Sequence, residues 1–149
     1  MKKFSFSLQR LLNYKEQLFE NERNILAEMR AVLSQLEQEL NDMKNEHLRR
    51  VAEYNEKIIE GLLPAEMQTH KYYLMVLDEG IRDKIEQIKL QQQAVDRQMD
   101  IVREAKLEIS TIEKLKEKKL EEYIYTEAKA DEQFINEFVT NQRSGGDNG

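Results

Sequence analysis

Gly61-Leu62-Leu63-Pro64-Ala65 is the only stretch before the C-terminal tail that joins a glycine to a proline, and Pro64 is the only proline in 149 residues. Such a break ends one helix and starts another. Gly61 can take the left-handed backbone that closes a helix. Pro64 disfavours helix at Leu63 and suits the first position of the next helix. Glu66 then falls in a first turn, where negative charge favours the dipole. On either side the pattern is helical, which predicts a helical hairpin.

Before the break, apolar residues follow an eleven-residue rule. Leu18, Met29, Leu40 and Val51 form one row, and Tyr14, Ile25, Leu36, His47 and Ile58 a second. Val32, Met43 and Tyr54 form a third, with Glu, Gln, Asn, Arg and Lys between the rows. Eleven residues in three turns describe an almost straight helix with a slight right-handed supercoil. This helix is expected to begin near Ser7, with its hydroxyl as cap and Phe6 and Leu11 as a hydrophobic staple.

After the break the period changes. Ile81, Ile88, Val95, Val102 and Ile109 lie seven apart, with Leu77, Ile85, Met99 and Ile112 in the companion row. Heptads favour a left-handed supercoil, so the two helices ask for different twists. Met29, Met43, Met75 and Met99 are expected to fill the core.

The expected fold is therefore all-α: an antiparallel two-helix coiled-coil hairpin with a longer second helix. Residues 1–142 form one hairpin, with helices at about 7–60 and 65–139 and a turn at 61–65. Residues 143–149 are expected to be a disordered tail. A turn centred near residue 63 pairs position i with about 126 minus i, so Leu8 lies near Lys118. The last fifteen to twenty or so residues of helix two should then overhang, at 1.5 Å per residue. Tyr125, Phe134, Ile135 and Phe138 lie there without a partner, unless Phe4 and Phe6 fold against them. An unpaired apolar helix end is a candidate protein-binding site.

Composition narrows the function. Charged residues make up 35% and aromatics 7% of the chain, which suits long solvated helices with a narrow apolar stripe. Net charge is −6, against the basic footprint of nucleic-acid binding. No cysteine is present, which removes disulfides and thiolate metal sites. Serines, Gln9 and Arg10 interrupt the leading segment, and no run is long enough to span a bilayer, so no signal peptide and no direct membrane insertion are expected. No phosphate loop or nucleophile motif is present, so no enzyme activity and no cofactor are expected.

Several residues carry two readings. His47 falls on a seam row, His70 should be exposed near the turn, and neither belongs to a metal array. Of Tyr72 and Tyr73, at most one can face the seam comfortably. Gly80 costs about 1 kcal/mol in mid-helix, and either admits close helix contact or keeps a partner surface flat. Glu113, Glu117 and Glu121 form an acidic column beside Lys114 and Lys118. The pairs Lys114–Glu117 and Lys118–Glu121 should offset the like charges.

Both ends resemble a known family. Phe4-Ser5-Phe6-Ser7-Leu8-Gln9-Arg10-Leu11-Leu12, followed by Lys15-Glu16, resembles the start of the flagellar export protein FliJ. So does Ile112-Glu113-Lys114-Leu115-Lys116-Glu117-Lys118-Lys119-Leu120-Glu121-Glu122-Tyr123, with Asp131-Glu132 after it. The resemblance implies a stalk-like, non-enzymatic subunit of the bacterial flagellar type III export apparatus. It would bind the export ATPase ring and the membrane-embedded export gate, and escort export chaperones. It would be monomeric alone and cytoplasmic, peripherally associated with the inner face of the membrane. By position, Leu11, Leu12, Lys15, Lys114, Lys118 and Tyr123 would meet the ATPase. Tyr73, Leu77, Gly80 and Lys84 would meet the gate. On helix one, Glu46 and Arg50 or their neighbours stand where some relatives have tyrosines. An injectisome or rotary-ATPase stalk counterpart, or a dimeric coiled-coil scaffold, would share this architecture.

Overall fold

A computed structural model describes residues 3–146. It contains two helices, α1 (Gln9–Glu60, 52 residues) and α2 (Pro64–Gly146, 83 residues). The described residues contain no strand, and the fold is an all-α helical hairpin whose second helix is the longer.

The break forms as its residues dictate. Gly61 has φ of 105°, a conformation a side chain would strain. Its N–H donates to the carbonyls of Lys57 at 3.0 Å and Ile58 at 3.2 Å, closing α1. Beyond it, the Met67 N–H donates to the Leu63 carbonyl at 3.0 Å and opens α2. Pro64 sits first in α2, where its missing N–H leaves no partner unmet. Lys57 in the last turn of α1 and Glu66 in the first turn of α2 both suit the helix dipoles.

α1 begins at Gln9, close to the expected start near Ser7, and backbone starts it: the Gln9 N–H donates to Phe6 O at 3.1 Å and the Leu12 N–H to Leu8 O at 2.9 Å. At the far end α2 continues past Val139 to Gly146, taking in residues 143–146 of the expected disordered tail. No glycine or proline stands between Gly80 and Gly145, and Arg143 in the last turn favours the dipole. Residues 147–149 of that tail lie outside the described residues.

The chain divides into two compact units. The turn unit, Glu20–Arg103, holds the break. Its heptad row faces inward: Ile81, Ile88 and Val102 are half-buried and Val95 is buried. From α1, Met29, Leu40 and Val51 are half-buried and Leu26 is buried. Burying one such side chain fully contributes about 1.5–3 kcal/mol. Two helices cover only one side of a stripe, so Ile25, Val32, Ile58 and Ile85 at its edges remain exposed. Met75, expected in the core, is also exposed.

Two amides cross this seam. Gln98 Nε2 donates to the Glu22 carbonyl at 3.0 Å and to the Glu22 carboxylate. Gln91 Nε2 donates to the Met29 carbonyl at 3.0 Å. Donors and acceptors are each seven residues apart. Both pairs add to 120, and Glu39 with Lys84 adds to 123, against the expected 126 or so. Pro64 and Ala65 are already helical, which moves the centre of the turn from Leu63 to Leu62 and the expected sum to about 124, so it accounts for part of the difference.

Among the described residues, the open unit combines residues 3–19 with 104–146. Leu12 and Ile109 are its buried residues, 3% and 2% exposed. Lys15 bridges to Glu108 at 2.9 Å, and Lys106 Nζ lies 5.4 Å from the centre of the Phe19 ring. Beyond Glu127 every described side chain is exposed.

Candidate functional site

The open unit places the six positions assigned to the ATPase in different surroundings. Leu11 is 40% exposed, and Lys114 and Lys118 are exposed. Leu12 is core. The Lys15 ammonium is held by Glu108. Tyr123 is half-buried, its ring 5.6 Å from that of Phe4 and tilted by 52°. Leu11, Lys114 and Lys118 can therefore meet a partner as they stand, whereas Leu12 cannot.

The acidic column is a solvated face. Among the described residues, the ion pair on this stretch is Lys119–Glu122 at 3.5 Å, not Lys114–Glu117 or Lys118–Glu121. Exposed pairs contribute about 0–1 kcal/mol, so spacing alone selects none strongly.

The overhanging part of α2 is richer in exposed apolar surface. Phe134 is 70% exposed, and Ile135, Phe138 and Val139 are exposed beside it. These four fall at helical spacings of one, four and five, which gathers them on one side of α2. Leu120 and Ile124 are also exposed, and Lys129 Nζ sits 5.4 Å from the Tyr125 ring centre. Two open grooves flank this region, of about 400 Å³ beside Phe4 and Tyr123 and about 350 Å³ beside Leu12 and Leu120.

In the turn unit the four gate positions lie mostly along the seam. Leu77 is half-buried. Gly80 lies against Met43: a Cβ added there would stand 2.7 Å from Met43 Cε, which favours close approach as the role of this glycine. Lys84 is 18% exposed and bridges to Glu39 at 2.6 Å. That hydrogen bond, then one from Gln35, holds the Glu39 carboxyl below its usual range. Tyr73 alone faces outward in part.

Tyr73 is bound into a polar network with α1. Its hydroxyl donates to Glu46 Oε1 at 3.4 Å, and the Arg50 guanidinium lies 4.6 Å from its ring centre. Arg50 Nε donates to Glu46 Oε1 at 2.9 Å, and Arg49 pairs with the other Glu46 oxygen. Arg50 first, then Arg49, keeps the Glu46 carboxyl below the usual range, and Glu46 raises the basicity of Arg50. Glu46 and Arg50 thus form, with Tyr73, a charged and aromatic surface of their own. Tyr72 points away and is 66% exposed, beside exposed Met75 and Val76. Met75 was expected in the core, and Val76 was not singled out from sequence. Their adjacency to Tyr72, with Val76 one turn on, was the available signal.

His47 is half-buried, and His70, expected to be exposed, is half-buried with its ring 5.6 Å from Tyr54. Among the described residues no group of three His, Cys, Asp or Glu could hold a metal ion, and no helix is long and apolar enough to cross a membrane.

Comparison with known proteins adds one finding. The family model described as "Flagellar FliJ protein" matches residues 4–146. No curated protein sequence matches the chain. No solved structure matches it.

Proposed function

The chain belongs to the flagellar FliJ family and is a component of the flagellar export apparatus; from that premise we propose that it is a stalk-like, non-enzymatic subunit that binds the export ATPase ring through its open unit. The observation that carries this reading is the bare apolar side of α2 at Phe134, Ile135, Phe138 and Val139. Apolar helix faces of this kind dock into grooves of protein partners. Leu11, Lys114 and Lys118 would add an apolar and two cationic contacts. Ring subunits meeting such an uneven surface would be contacted unequally, which would bias their assembly or turnover.

The same reading gives the export gate the surface around Tyr73 and exposed Tyr72, with Leu77, Gly80 and Lys84 setting the geometry beneath it. Exposed aromatics and arginines are enriched at protein interfaces, which supports this assignment. Escort of export chaperones and peripheral association with the membrane complete the proposal.

Sedimentation of the purified export ATPase with the full chain tests the central step. Co-sedimentation is expected, with loss on truncation after Glu127. Equal binding by the truncated chain would remove the overhang from the interface. A second reading draws on the same bare side of α2: two copies could pair through it as a scaffold. Light scattering at micromolar concentration separates the two, since a stable dimer favours the scaffold.

A further inference from the structure

One segment of the open unit is not explained by helix pairing. From Lys3 to Phe6 the chain is neither helix nor turn and burial alternates: Phe4 and Phe6 are half-buried, while Lys3 and Ser5 are exposed. A period of two is that of an extended chain laid on a surface. Phe4 meets Tyr123 of α2 with ring centres 5.6 Å apart. Among the described residues, the first backbone bond tying this segment to α1 is from the Gln9 N–H to Phe6 O, and Phe4 rests on α2 through its ring. That contact is incompletely packed, because the groove of about 400 Å³ runs between Phe4, Phe6, Lys119, Tyr123 and Thr126.

The covered surface belongs to a longer row. Ile112, Tyr123 and Phe134 are eleven apart, three turns of α2, and so share a side of it. Ile112 and Tyr123 are half-buried, Tyr123 with Phe4 against it, and Phe134 is exposed. One apolar row thus passes from the helical seam, through a patch covered by an extended segment, to a bare surface.

We propose that residues 3–6 form a displaceable strap, holding on α2 a place that the export ATPase takes when it binds. Release joins Tyr123 to the bare row at Phe134 and Phe138. Residues 120–143 carry six acidic side chains and two basic ones, so the surface that displaces the strap is apolar and rimmed by lysine or arginine. This rests on the open unit being the ATPase-binding site, and adds that access to it is regulated. The physical basis is a competition: docking of the strap leaves only a fraction of the chain competent, which weakens apparent affinity by that fraction.

The chain lacks cysteine, so Ser5→Cys with Thr126→Cys gives a unique pair for a short bis-maleimide link across the groove. In the isolated full-length variant the link should form efficiently. The linked form should bind purified export ATPase about tenfold more weakly than the same variant before linking. Phe4→Ala, which loses the aromatic contact, should bind about three- to tenfold more tightly than the parent chain. Failure of the two cysteines to link would overturn the strap, as would unchanged affinity on linking. Weaker binding by Phe4→Ala would overturn it too, making Phe4 itself a contact. If no form binds the ATPase while linking proceeds normally, the reading of the open unit fails, and displacement by the ATPase fails with it.

Discussion

Gln98 donates a hydrogen bond to the backbone carbonyl of Glu22 across the seam at 3.0 Å, and Gln91 does the same to Met29 one heptad away. The rows these amides join have different periods, eleven residues on α1 and seven on α2. Apolar packing between rows that drift apart is tolerant of sliding. A directional bond from a buried amide is not, and single buried polar residues are known to set register in coiled coils. The expected outcome of Gln98→Leu is thermal stability equal to or above that of the parent, with a less unique pairing. Spin labels at exposed Val32 and Leu90 should show a broadened distance distribution. A large loss of stability with an unchanged distribution would make Gln98 a stabiliser rather than a register device.

Two glycines should respond oppositely to alanine. Gly61→Ala forces a side chain to φ of 105° and should destabilise by about 1–3 kcal/mol. Gly80→Ala gains up to about 1 kcal/mol of helix propensity, against the displacement of Met43 Cε, the mobile end of a long side chain. Its net effect should lie within about 1 kcal/mol of zero, as read by urea unfolding. A loss at Gly80 larger than at Gly61 would contradict the assignment of turn and seam.

Adjacent leucines separate core from surface. Leu12 is 3% exposed and Leu11 40%. Leu12→Ala should cost about 2–5 kcal/mol, and Leu11→Ala under about 1 kcal/mol. If Leu11 contacts the ATPase, only Leu11→Ala should weaken binding without a matching loss of helix content by circular dichroism.

Acid should weaken the turn unit through Glu39. Its folded carboxyl titrates below the usual 4.5 because Lys84 hydrogen-bonds to it. A depressed pKa stabilises above the unfolded value, and that contribution is lost as pH falls through the folded value. Melting temperature should therefore decline as pH drops below about 4.5, and Glu39→Gln should flatten that decline relative to the parent. Equal slopes in the two proteins would show that the pair is not linked to folding.

The hairpin was legible because its signals are repeated. Each heptad of Ile81, Ile88 and Val95 restates the same seam, and Gly61 with Pro64 marks the turn by backbone chemistry alone. The ends were less so: the Phe6 carbonyl accepts the Gln9 N–H where α1 starts, and α2 runs past Val139 through a stretch with no breaker before Gly145. The exposure of the candidate residues was not legible. Sequence placed Tyr123 on the open unit yet could not show Phe4 lying over it. It offered close packing at Gly80 as one of two readings, which the approach of Met43 favours, and it did not foresee Arg50 stacking on Tyr73.

ATP hydrolysis by the purified flagellar export ATPase, measured with increasing full-length chain, tests the central claim most directly. Activity or ring assembly should change with saturation, and Phe134→Ser with Phe138→Ser should shift the midpoint to higher concentration. These side chains are exposed, so the variant should keep its helix content. Hydrolysis and assembly unchanged at every concentration of the parent chain would contradict the account.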